Sequence, residues 1–201
     1  MLAQRLHDKQ VKGNRLAALS GAGFEAVGMA DNIQSDDFSL TMARFTSATS
    51  SYIHEVLVAK RLDGLVEVRN PLDINPGADD ETHVEVVKHI AGDPGVDAVV
   101  VGLDPLSPAM RTLADCEMQR YDFNDPESIA MTMPALLSGL TKPVVGVVDG
   151  GQLYDPLVAE LMSRDVPVFR SSDRAVRALA FYLEGRLQGV GFMFEEEIAP
   201  L

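Results

Sequence analysis

The stretch that decides the fold is Arg15-Leu-Ala-Ala-Leu-Ser-Gly-Ala-Gly-Phe-Glu-Ala-Val-Gly-Met-Ala-Asp31. A short apolar strand, Arg15 to Leu19, runs into Ser20-Gly21-Ala22-Gly23, and a helix follows to about Ile33. Glycines at a strand-to-helix junction let backbone amides approach an anion, and the helix N-terminus adds partial positive charge there. By helical spacing, Phe24, Val27 and Ala30 form the inward face of that helix. Gly21-x-Gly23-x-x-Ala26 also fits the dinucleotide fingerprint G-x-G-x-x-G/A. That fingerprint asks for an acid at the end of the second strand, about 20 residues on. The second strand, Phe38 to Met42, is instead followed by Ala43-Arg44-Phe45, and Asp36 and Asp37 precede it. The motif on its own is equally a tight turn that binds nothing.

Working outward, the chain alternates strands and helices. Thr46-Ser-Ala-Thr-Ser-Ser51 supplies N-caps for a helix with Ile53, Val56, Leu57 and Leu62 on one face. Val66 to Ala78, with two prolines and two asparagines, reads as an irregular loop. Asp79, Asp80 and Glu81 then open a helix at its positive end, with Val84, Val87 and Ile90 as its stripe. Asp97 to Leu103 and Pro143 to Val148 are apolar runs without alternation, the pattern of strands buried on both faces of a parallel sheet. Val166 to Arg170 is the fifth strand. Ser171-Ser-Asp173 caps a last helix that turns Ala175, Val176, Leu179 and Leu183 inward. The long connection from Ala109 to Thr141 is divided at Asn124-Asp-Pro126, with a helix after it.

Five strands alternating with helices give a three-layer α/β/α sandwich, with a five-stranded parallel sheet in the flavodoxin-like order 2-1-3-4-5. Residues 1–13 are a polar lead-in or linker, 14–188 the domain, and 189–201 a tail that packs on the domain or on a partner. Ligands of such folds sit beyond the carboxyl ends of the strands. The loops Ser20–Gly23, Asn70–Ala78 and Asp104–Pro108 are expected to meet there.

The 201 residues suffice for one sizeable domain. A net charge of −13 argues against nucleic acid and anionic membranes as partners, so any anionic ligand must be held by local amides. Cys116 is the sole cysteine, which excludes an intrachain disulfide and a cysteine metal cluster. The polar start and the lack of a long apolar run show no signal peptide or membrane span, and the expectation is a cytoplasmic protein. The histidines His7, His54, His83 and His89 lack a partner motif and read as surface or helix-packing residues. No metal site is expected.

A set of motifs resembles the NDP-forming acyl-CoA synthetases. It begins with Gly13-Asn-Arg-Leu-Ala-Ala-Leu-Ser-Gly-Ala-Gly-Phe-Glu-Ala26, Asp31-Asn32 and Asn70-Pro-Leu-Asp73. It continues through Asp93-Pro-Gly-Val-Asp-Ala-Val-Val-Val101, Lys142-Pro-Val-Val145, Gly150-Gly151, Val166-Pro-Val-Phe169 and Arg174-Ala-Val-Arg-Ala-Leu179. The similarity is to one module, the second flavodoxin-like ligase domain, related to the carboxy-terminal domain of the succinyl-CoA synthetase β subunit. The resemblance implies an enzyme that interconverts acyl-CoA, NDP and phosphate with acid, CoA and NTP through an acyl phosphate and a phosphohistidine.

The family's phosphorylated histidine lies on another domain, and its Ser-His-Thr-Gly or Gly-His-Ala-Gly loop is missing here. So are the CoA-binding and ATP-grasp domains. The resemblance therefore implies a chain without a catalytic residue of its own. CoA and the magnesium nucleotide would be bound by partner domains. Ser20 stands where the related subunit has an Asn that helps hold the acyl group. Gly21, Ala22 and Gly23 would offer amides to an acyl phosphate or carboxylate. Asn70 and Asp73 would shape the neighbouring wall, although Asp73 also suits a cap of its own loop. The third loop departs from the family's Gly-Gly-Ile. Asp104 brings negative charge toward the anion, and Ser107 is placed to cap a helix with Pro108 at its first position. The different-class alternative is a non-catalytic regulatory or scaffolding module of the same fold; a dinucleotide or flavin protein is a third.

Overall fold

The computed structural model describes residues 2–114 and 122–196, with the side chains of 190–196 excepted. Cys116 and most of the 189–201 tail's side chains lie outside the described residues. The chain opens with helix α1, Leu2–Arg5, and strand β1, Arg15–Ser20. Helix α2, Gly23–Asp31, strand β2, Thr41–Met42, and helix α3, Ser47–Ala59, follow. Next come β3, Leu72–Asp73; α4, Asp80–Gly92; β4, Ala98–Gly102; and α5, Ile129–Gly139. The last part holds β5, Val144–Val147; a short 3-10 turn, Gln152–Tyr154; α6, Asp155–Ser163; β6, Val168–Phe169; and α7, Ser172–Glu196.

Every strand pairing is parallel. The sheet runs β2-β1-β4-β5-β6, with β3 also on β1, so it has six strands and not the expected five. The sixth comes from the loop read as irregular. β2 covers only the start of β1, pairing Arg15 with Thr41 and Leu16 with Met42. β3 takes over the same edge at Leu19 and Ser20. The architecture is consistent with a flavodoxin-like sandwich.

Asn70 fills the gap between these two short strands. Its Oδ1 accepts from the Ala18 amide at 2.9 Å, and its Nδ2 donates to the carbonyls of Leu16 at 2.8 Å and Ala43 at 2.9 Å. One side chain thereby satisfies backbone groups that a continuous strand would otherwise pair.

Alternation along the strands divides the core. Ala17, Leu19, Val99 and Val101 face α3, α4, α5 and α6, whereas Leu16, Ala18, Ala98 and Val100 face α1, α2 and α7. Ala175, Val176, Leu179 and Leu183 of α7 are fully buried, as their spacing predicts. The inward face of α2 differs from the expected one. Glu25, Ala26 and Met29 are buried, while Phe24 is 77% exposed and Val27 also faces solvent. The helix is rotated because the Glu25 carboxyl, and not an apolar side chain, packs against the sheet.

At the amino edge of the sheet, cations close helix ends. Lys9 Nζ donates to the carbonyls of Leu137 and Leu140 at the end of α5, and Arg5 donates to that of Met162 in α6. These contacts sit where the helix dipole favours positive charge. Leu2 and Leu6 are buried with them, and Tyr182 of α7 donates to the Leu6 carbonyl.

Candidate functional site

The three loops meet at the carboxyl edge of the sheet. Gly21 lies against the Asp104 carboxyl and the Asn75 carbonyl, and Gly23 lies against the Asp73 carboxyl. Ser107 Oγ donates to the Pro76 carbonyl at 2.7 Å, tying the loop after β4 to the loop after β3. No glycine among the described residues has a positive φ. Gly23 makes room for the Asp73 carboxyl: a Cβ there would meet its oxygen, and the exposed Asp73 side chain would have to turn away.

Helix α2 begins without a side-chain cap at Ala22. The Ala22 amide is taken by Ser20 Oγ at 3.0 Å. Among the described residues no acceptor meets the amides of Gly23 and Phe24. This end of α2 opens onto a cavity of about 450 Å3 lined by Gly23, Val27, Leu65, Arg69, Pro71 and Asp73, among others. Uncapped amides and apolar walls suit a carboxylate or phosphate with an apolar body, while the Arg69 guanidinium is paired at 3.5 Å with Glu67, which lines the same cavity.

Other features oppose an anion. The Asp73 carboxyl already sits at the helix N-terminus, and its Oδ1 accepts from the Asn75 amide at 2.9 Å. Asp104 is buried; burial raises its pKa above the usual carboxylate range, and a neighbouring His83 and the Leu106 amide lower it. Ser20 is buried, and its hydroxyl is committed to Glu25 Oε2 at 2.6 Å. Asn70, expected to shape the wall, does border the cavity, but its amide makes the three backbone bonds described above. Ser107 caps a turn by accepting from Ala109, and the expected helix at Pro108 is not formed through residue 114.

Two further buried titratable groups lie near the loops: Glu25, which the sequence reading did not single out, and His83, whose burial fits the helix-packing reading. Glu25, outside the inward stripe expected of α2, is buried, and burial pushes its carboxyl up to about 7. The signal available was its position five residues after Ser20, across a glycine turn. His83 is fully buried on the first turn of α4; burial lowers its pKa. Its Nδ1 bonds the Asp79 carbonyl at 3.0 Å, and Nε2 is buried without a partner among the described residues. Among the described residues there is no group of three or more His, Cys, Asp or Glu side chains able to hold a metal ion.

Five apolar side chains stand exposed at this edge: Phe24, Val27, Leu65, Leu106 and Leu153. They lie on four segments around the acidic floor.

The fold and this edge define a flavodoxin-like α/β module with its loops gathered over the carboxyl ends of β1, β3 and β4. Among solved structures, the chain is similar to PH0766 from Pyrococcus horikoshii OT3, with 21% identity, a TM-score of 0.71 and 93% of this chain covered. It is also similar to the dinucleotide forming acetyl-coenzyme A synthetase 1 of Ca. Korarchaeum cryptofilum. The apo form gives 19% identity, a TM-score of 0.70 and 99% coverage of this chain. The form in complex with phosphate and ADP gives 19% identity, a TM-score of 0.70 and 100% coverage. This chain spans 39% of the length of each of these structures. No protein-family model and no curated protein matches the sequence. At these identities the likeness establishes the fold. Among the described residues, no helix is long and apolar enough to cross a membrane.

Proposed function

We propose that the chain is a ligase-CoA module of an NDP-forming acyl-CoA synthetase-like enzyme. It lends an acyl- or phosphate-binding loop to a partner domain that carries the phosphohistidine. One observation carries this reading: nearly the whole chain overlays 39% of the length of an acetyl-coenzyme A synthetase. The uncapped start of α2, facing the cavity beside Arg69, supports an anionic ligand. In this reading Gly21 and Gly23 present amides, Arg69 pairs with the carboxylate or phosphate, and Val27 and Leu65 receive the acyl body. Asp73 must turn away from Gly23 as the anion enters. The exposed rim of Phe24, Leu106 and Leu153 is the docking face for the partner domain. CoA and the magnesium nucleotide belong to the CoA-binding and ATP-grasp domains, and the chain alone is catalytically incomplete.

The acids around the loop favour a second reading, a non-catalytic regulatory or scaffolding module. Asp73 and Asp104 border the two glycines directly, and Asp149 lies near Glu25.

The test mixes this chain with a CoA-binding/phosphohistidine partner and an ATP-grasp partner. CoA- and acid-dependent ADP formation is the expected result, and Gly23→Asp abolishes it. Complex formation without turnover supports the scaffolding reading. Neither binding nor turnover overturns both.

A further inference from the structure

We propose that Glu25 is a proton-operated latch beneath the glycine loop: its neutral form holds the first turn of α2 against β4, and its ionised form loosens that turn. The contacts form one continuous chain. The Ala22 amide donates to Ser20 Oγ, and Ser20 Oγ donates to Glu25 Oε2 at 2.6 Å. Glu25 is only 4% exposed although it stands in the first turn of a surface helix. Its carboxyl occupies the space where a side chain on Gly102 of β4 would lie; a Cβ there would collide with both Glu25 Oε2 and Ser20 Oγ. The latch therefore joins α2, β1 and β4 through one carboxyl.

The groups facing Glu25 decide its charge. β1 contributes the Ser20 hydroxyl and β4 contributes only Gly102. The loop after β4 contributes Asp104, and the loop after β5 contributes Asp149. Asp73 stands on the other side of the same turn, beside Gly23, and Ser172 of α7 faces Gly28 further along the helix. Among the described residues no Lys or Arg forms an ion pair with Glu25. Burial raises its pKa most and the two aspartates add to this, while the Ser20 hydrogen bond opposes them, leaving it at about 7. Above that pH an unpaired negative charge is confined among acids, and the strain is relieved by admitting water under the loop.

The latch rests on contacts within this chain and stands apart from the reading of the loop as an anion site; its test uses no ligand. The chain, labelled with 13C at glutamate carboxyls, is titrated by NMR from pH 5 to 9, with hydrogen exchange followed at residues 20–26 and 102–106. Wild type, Glu25→Gln and Ser20→Ala are compared. One carboxyl should titrate near pH 7, far above the ordinary value of about 4.3, and it should vanish in Glu25→Gln. Protection of residues 20–26, taken relative to Glu25→Gln, should fall by about fortyfold between pH 5 and 7 and by no more than about twofold between pH 7 and 8, where Glu25 is already largely ionised. Ser20→Ala, which removes the donor favouring the ionised form, should move the midpoint upward, and it serves if Glu25→Gln does not fold. A Glu25 midpoint in the ordinary carboxylate range overturns the proposal. So does identical pH dependence of exchange in wild type and Glu25→Gln.

Discussion

Replacing Asn70 with alanine separates a sheet-building residue from a ligand-binding one. The side chain makes three hydrogen bonds of 2.8–2.9 Å to the backbone of Ala18, Leu16 and Ala43. A typical intramolecular hydrogen bond contributes about 1 kcal/mol net, and a buried backbone group left without a partner costs about 1–3 kcal/mol. Asn70 is half-buried, so water reaches part of the gap and the lower end of that cost applies. The expected loss is about 3–4 kcal/mol. Urea unfolding should show the midpoint falling by more than about 1 M, with a slope in the usual range of about 1–3 kcal/mol/M.

Asn70→Asp provides the internal comparison. It keeps an acceptor for the Ala18 amide but turns a carboxylate oxygen toward the carbonyls of Leu16 and Ala43. It should be at least as damaging as alanine, and the damage should ease as pH falls and the carboxyl gains a proton. A loss below about 1 kcal/mol in Asn70→Ala, with unchanged slope, would refute the reasoning. It would mean that water replaces the amide and that Asn70 is free to serve a ligand.

Three further outcomes follow from the same contacts. Glu25 has a folded-state pKa of about 7 against an unfolded value near 4.5, so the folded state holds the extra proton. Its neutral form contributes fully below about pH 4.5 and is lost as pH rises through 7, a decline of about 3 kcal/mol that should separate wild type from Glu25→Gln in denaturation at pH 5 and pH 8. Gly102→Ala should destabilise by about 1–3 kcal/mol through overpacking, and a Glu25→Ala background should reduce that loss in a double-mutant cycle. Phe24→Ser and Leu106→Ser should leave stability within about 0.5 kcal/mol yet weaken capture by the phosphohistidine partner, measured by calorimetry; unchanged affinity in both would remove the rim from the interface.

Much of the architecture was readable because buried parallel strands have a distinctive composition. Val99, Val100 and Val101 announce β4 without any motif, and Ala175, Val176, Leu179 and Leu183 fix the face of α7. β3 was missed for a physical reason. Two residues beside a proline carry no periodicity, and its partner edge is completed by the Asn70 side chain, which no backbone pattern encodes. The rotation of α2 was missed for a related one. Spacing alone allowed the inward stripe to be Phe24 and Val27, and only the buried Ser20–Glu25 contact selects the other face. At the site, the meeting of the three loops followed from strand order. The commitment of the Ser20 and Asn70 side chains to their own chain depends on tertiary neighbours far apart in sequence.

The cations at the amino edge bear on where this chain can be cut and joined. Arg5 and Lys9 close the ends of α6 and α5, and Leu2 and Leu6 fill the face beneath α7. A shortened version starting at Gly13 would uncover two helix termini and a strip of core in a single step. Upstream fusions should therefore attach ahead of Leu2, and trimming to the first strand should yield a poorly behaved protein even though every sheet residue is retained.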